Sequence, residues 1–214
     1  MRPANRDRPD HRSTACCIVS ILVVLLALFA VPAAANSAMY FISEDGTVLT
    51  ANATLTNQST FLLVKPGFLG EEVALSVDNL TIQNESGVVE FTLDGKTVSF
   101  PEGNYTLNYS VKIENGFIYL RYEDPYNVSI YLPENFQTGH LILGTVGTGG
   151  AISPSDNSSY GSMITFENTD TASLTFYDDV REPILYLFLG IWGVLFIIAG
   201  VRYLRLKRKP MEDL

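Results

Sequence analysis

Apolar and polar positions divide the chain into three regimes. Residues 15–35 and 184–201 are almost uncharged apolar runs, and between them apolar and polar residues alternate with a period of two. In Tyr105–Glu114 the residues Tyr105, Leu107, Tyr109, Val111 and Ile113 alternate with polar ones without a miss, as in a strand with one buried and one wet face. Asn115-Gly116 follows, a dipeptide that accepts the positive φ angles of a tight turn, and predicts that 117–122 returns as the partner strand. Asp94-Gly95 predicts a second hairpin between 88–93 and 96–100, and Glu44-Asp45-Gly46 a third between 39–43 and 47–56. Further strands are predicted at 60–64, 72–77, 79–83, 126–132, 140–146, 161–167 and 171–177, and a Gly/Ser/Pro-rich loop at 149–161. About eleven short strands and no amphipathic helix predict an all-β domain over 36–183, an antiparallel two-sheet sandwich in preference to a barrel.

The run from Ile184 to Val201 holds 18 residues without a charge. As a helix it would rise about 27 Å, enough to cross a bilayer core. This predicts a transmembrane helix over 184–204 and a short basic tail over 205–214. Tyr186 and Tyr203 are placed as interfacial anchors, and Arg202, Arg205, Lys207, Arg208 and Lys209 as cytoplasmic cations. The first run has two readings. Ile18–Val31 has the length of a signal-peptide core with a small-residue site at Ala33-Ala34-Ala35, yet an uncut helix from Ala15 would also span. Residues 1–35 are therefore either a signal peptide or a signal anchor.

Charge orients these segments. Nine of the 14 cations flank the two apolar runs, whereas residues 36–183 carry five cations against 19 carboxylates, a net of −14. Basic ends stay in the cytoplasm, so the acidic middle reads as lying outside the cell membrane. A nucleic-acid partner is not expected, because each basic cluster abuts an apolar run. Eight Asn-x-Ser/Thr sites fall in this middle, at Asn52, Asn57, Asn79, Asn84, Asn104, Asn108, Asn127 and Asn157, where the local composition gives about two by chance. Asn104 and Asn108 lie opposite the apolar set of their strand, as do Asn79 opposite Leu80 and Ile82 and Asn127 opposite Val128 and Ile130. These positions are expected to be exposed and glycosylated.

Catalytic chemistry finds little purchase. Residues 36–214 contain no cysteine, and His140 is the one histidine of the middle segment, so no disulfide, zinc or copper site is expected, and no cofactor. There is no Gly-x-Ser-x-Gly elbow, and Gly144–Gly150 lacks the Gly-Lys-Ser/Thr ending of a phosphate loop. A glycosidase pair would need a carboxylate separation that sequence does not supply. Taken as organisation, the N-terminal signal or anchor, the acidic cysteine-free β-domain rich in Asn-x-Ser/Thr, and the helix ending Arg205-Leu-Lys-Arg-Lys209 resemble uncharacterised archaeal envelope proteins of methanogens and haloarchaea. That resemblance implies a setting at the cell surface, among surface-layer glycoproteins. The expectation is a non-enzymatic, membrane-anchored extracytoplasmic domain whose partners are the lipid bilayer and another envelope or surface-layer protein. A carbohydrate- or ligand-binding module is the alternative, and an envelope glycoside hydrolase the third reading.

Overall fold

The computed structural model describes residues 36–207; the segment 1–35, with its signal or anchor expectation, and the tail cations Arg208 and Lys209 lie outside the described residues. Within them the chain is mostly β, with one helix at its C-terminal end. The strands are β1 (Ser37–Ile42), β2 (Val48–Leu62), β3 (Val64–Pro66), β4 (Glu72–Ala74), β5 (Asp78–Asn84), β6 (Gly87–Val88) and β7 (Thr92–Asp94). They continue as β8 (Thr97–Lys112), β9 (Phe117–Leu132), β10 (Phe136–Gln137), β11 (Gly150–Pro154), β12 (Ser162–Thr175) and β13 (Tyr177–Asp178), before helix α1 (Arg181–Lys207).

A single nine-stranded sheet dominates, in the order β11-β12-β9-β1-β2-β8-β5-β6 with β7 paired to β8, and β3–β4 and β10–β13 form two small ladders beside it. Two separate, wholly antiparallel sheets were expected; the main sheet is continuous, and β1 runs parallel to β9, with Phe41 opposite Tyr131. Topology explains the difference. The tight turn after β1 makes β1–β2 antiparallel, and the other edge of β1 is then taken by a strand from a different hairpin.

That sheet encloses a core because its long strands bend. The β2–β8 register slips between Leu55 and Thr60, and the β9–β12 register slips between Phe166 and Thr171. Bulges of this kind kink the strand and raise its twist. Beyond the β2 bulge, Phe61 meets the rings of Tyr109, Tyr122 and Tyr126 at 6.2–6.3 Å, so strand halves on either side of the bulges face one another. Short strands inferred separately at 126–132, 161–167 and 171–177 are thus parts of longer ones.

Both ends of β9 lie at one end of the domain. The strand starts beside Gly116, whose carbonyl accepts the Phe176 N–H at 2.9 Å, and finishes four residues before Phe136, whose ring meets Phe176 edge-on at 5.2 Å. Phe176 is five residues from the start of α1, so this is the helix-side end, and the bulges form the opposite apex.

Local turn chemistry agrees with the sequence. Gly46, Asn115 and Gly116 have φ of 70°, 57° and 66°. Asp45 accepts hydrogen bonds from the hydroxyls of Ser43 (2.6 Å) and Thr47 (2.8 Å), which lock the first turn and hold its carboxyl below the usual range. The predicted partnership across Asn115-Gly116 does not form. Only the bridge Glu114↔Phe117 joins the two arms; β8 then pairs with β2, β5 and β7, and β9 with β1 and β12. Two further expectations are corrected: residues 140–144 make a turn rather than a strand, and the loop expected at 149–161 contains the edge strand β11. Two residues separate β13 from the helix, which begins at Arg181 rather than at the expected residue 184, with Pro183 in its first turn, where the missing N–H has no intrahelical partner to lose.

Candidate functional site

Helix α1 is the first functional element. Arg181–Arg205 is long and apolar enough to cross a membrane, and none of the residues in its apolar window is buried by the rest of the protein. Tyr203 lies seventeen positions after Tyr186, about 26 Å along the axis, close to the thickness of a hydrocarbon core. Arg202 and Arg205 are exposed on its last turns, and Lys207 closes it. Trp192, near mid-helix, packs against Phe188 and Phe196 at 6.0 and 5.9 Å on one helix face.

The sequons form two groups. Asn57, Asn79, Asn84, Asn104, Asn127 and Asn157 are exposed. In four of them the side-chain oxygen is already engaged by a backbone N–H: Asn84 by Ser86, Asn104 by Asn57, Asn127 by Asn168 and Asn157 by Ser159, at 2.9–3.1 Å. A glycan would attach at the amide nitrogen, which these contacts do not use. Asn52 and Asn108 differ. They face one another across β2–β8, are half-buried, and share a 2.9 Å hydrogen bond from Asn52 Nδ2 to Asn108 Oδ1. Side chains directly opposed on adjacent strands are about 5 Å apart, so a glycan on either position would crowd the other and break their hydrogen bond.

At the helix-side end the parting of β8 from β9 opens a cleft of about 450 Å³. Leu75, Val111, Ile113 and Leu120 line it, and Lys65 faces Glu114 across it at 3.8 Å. The first half of β9, Phe117–Arg121, is laddered to β12 on one side; towards β3 it has no ladder partner among the described residues, and the Arg121–Glu72 ion pair closes that side.

Under the apex lies a buried tyrosine network. Tyr122 donates to the Tyr40 hydroxyl at 2.8 Å, Tyr40 and Tyr109 share a 3.3 Å hydrogen bond, and Tyr126 donates to Gln58 Oε1 at 2.6 Å. Burial is the main force pushing all four phenols above their usual ionisation range. Tyr105 and Tyr109, read from sequence as core, are buried.

Sequence reasoning missed a different aromatic group. Phe41 and Tyr131 stack at 4.8 Å on the outer face of the sheet, with Tyr160 at 5.8 and 5.7 Å. The signal was partly present, because Tyr131 alternates onto the Asn127 face; the parallel register that brings Phe41 beside it was not. The cleft was missed for the same reason, since it exists where a predicted pairing fails. His140 sits against Tyr177 and Tyr186 at 6.2 and 6.3 Å. Among the described residues no group of three or more His, Cys, Asp or Glu is placed to hold a metal ion.

No curated protein matches the chain. The family of unknown function DUF5803 matches residues 34–212, which takes in the whole β-domain and α1. On that coverage, the chain belongs to the DUF5803 family.

Proposed function

We propose that the protein is a membrane-anchored extracytoplasmic β-domain of the cell envelope with a non-catalytic, accessory role. It is held to the bilayer by α1 and engages an envelope or surface-layer protein through the helix-side cleft. The observation that carries this reading is α1 itself: an apolar helix with no buried residue in its apolar window, joined to the sheet domain by two residues. Burying about twenty apolar residues in lipid removes a surface that water would otherwise penalise heavily. Orientation follows from the cations after the helix and the carboxylates before it. Six exposed sequons on the outer side agree with that polarity. The unladdered edge of β9 at Phe117–Leu120, bounded by the Arg121–Glu72 ion pair, suits a short extended partner segment, which would add main-chain hydrogen bonds there and place side chains in the cleft.

Protease treatment of intact cells tests the topology: the β-domain should be digested while an epitope on the tail survives, and the reverse pattern overturns it. Affinity capture from gently solubilised native membranes tests the role. A stoichiometric membrane or surface partner should be recovered with the native chain and lost with Phe117→Arg, which charges the cleft mouth. Equal recovery with both chains overturns the cleft as the docking surface.

The aromatic group on the outer face favours one second reading, carbohydrate binding, because rings of this kind stack on sugar faces. Binding of envelope glycans that is lost with Tyr131→Ala would support it, and unchanged binding would dismiss it.

A further inference from the structure

The turn after β10 carries an apolar tripeptide, Leu141-Ile142-Leu143, whose pattern reads as a buried strand but which the structure presents to solvent. Gly144 N–H donates to the His140 carbonyl at 3.0 Å, and the N–H groups of Ile142 and Leu143 both point at His140 Nδ1, at 3.2 and 3.3 Å. The imidazole thus closes the turn from within. Leu143 is half-buried, while Leu141 and Ile142 are pushed outward, 90% and 65% exposed. Two adjacent aliphatic side chains held in water by a hydrogen-bonded turn are costly unless something covers them.

Position says what covers them. His140 packs against Tyr186, the third residue of the uncharged run that starts at Ile184. The turn therefore stands beside α1 at the level where the helix would pass from headgroups into hydrocarbon. Composition points the same way. Between Glu134 and Asp156 there is no charged residue, in a segment where 19 carboxylates otherwise fall within 148 positions. A surface of that kind is compatible with a bilayer interface and unlike the rest of the domain.

We infer that the His140–Gly144 turn is a second membrane contact, inserting Leu141 and Ile142 into the outer headgroup–acyl boundary next to α1. The inference rests on the membrane-anchor reading. Its consequence is orientation: one helix lets a domain pivot, whereas a helix and an adjacent rigid tip fix which side of the domain faces the lipid.

Trp192 is the one tryptophan of the chain, which makes the test direct. The full chain is reconstituted into phosphatidylcholine vesicles whose lipids carry bromine, a contact quencher, either near the headgroup or near the chain ends. In the native protein Trp192 should be quenched by the deep label, which tests the anchor alone. In the double variant Trp192→Phe, Leu141→Trp, the shallow label should lower emission at least about twofold and the deep label less. A second reporter, Ile142→Trp in the same background, should behave alike, and circular dichroism confirms the fold of both. If Trp192 is quenched while both tip reporters stay unquenched, with water-like emission, the turn does not touch lipid and the inference falls with the anchor intact. If Trp192 escapes both labels, the anchor reading fails and this one with it.

Discussion

The two ends of the β-domain are built from the same four long strands yet differ in what they expose and in how they are held. At the apex the bulges expose Glu102, Glu123, Asp124, Glu167 and Asp170, together with the sequons Asn57, Asn104 and Asn127. At the helix-side end lie the cleft with Lys65 and Lys112, the Leu141–Ile142 tip and Arg181 at the start of α1. The apex therefore exposes carboxylates and sequons, whereas the helix-side end mixes carboxylates such as Glu114, Asp178 and Glu182 with cations and uncovered apolar side chains. The ends also differ in how they are held. The apex is supported from inside by tyrosine hydroxyls, and the other end by turns packed against Phe136 and Phe176.

Alkaline pH should break the apex first and produce the largest effect. Tyr40, Tyr109, Tyr122 and Tyr126 ionise above the usual range when folded, so the native state keeps protons that the unfolded chain releases near pH 10. Stability is then fully present below pH 10 and falls as pH rises above it, each such tyrosine adding a slope of about 1.4 kcal/mol per pH unit. Absorbance titration of phenolate should show these four ionising only together with unfolding. A single smooth titration of all eleven without loss of fold would contradict the network.

At the helix-side end the sensitive point is Gly116. Its φ is 66°, and a Cβ there would stand 2.5 Å from the Phe176 carbonyl oxygen, which is backbone and cannot swing aside. Gly116→Val should cost about 3 kcal/mol or more, read as a lowered urea midpoint. Tyr40→Phe comes next, at about 1–3 kcal/mol, because it deprives both Tyr122 and Tyr109 of a partner. Tyr109→Phe removes one 3.3 Å contact and should cost about 1 kcal/mol or less. Equal costs for the two would mean that Tyr40 is not the hub.

How far the chain announces this structure depends on the range of the interaction. Alternation placed Leu107, Tyr109, Val111, Val128 and Ile130 on the buried face, and Asp94-Gly95 and Glu44–Gly46 marked real turns, because pleat and φ are local properties. Asn115-Gly116 was also a real turn, yet turn residues do not decide what the departing strands pair with. Both edges of the C-terminal half of β8 are claimed by β2 and β5, earlier strands that are not its hairpin neighbours, so β9 leaves it, and the cleft is the result. The parallel β1–β9 pair and the Phe41–Tyr131 stack depend on the same long-range choice. Leu141-Ile142-Leu143 misled for a different reason: apolar character was read as burial in protein, and the turn instead faces outward beside α1.

The smallest expected effect on stability completes the comparison. Asn57 at the apex has φ of 54°, nearly the angle of Gly116, but it is exposed, and its backbone N–H donates to Asn104 Oδ1 at 2.9 Å. Glycine adopts that angle without strain and keeps the N–H, so Asn57→Gly should shift stability by no more than about 0.5 kcal/mol in either direction. The same substitution deletes a sequon. The natively expressed chain should therefore lose one glycan by mass while its urea midpoint stays put, and glycopeptide analysis should rarely find Asn52 and Asn108 occupied on the same molecule. An unchanged mass would mean that the apex sequon carries no sugar; a large stability loss would mean that the apex is as tightly sealed as the helix-side end, and the contrast between the two would be wrong.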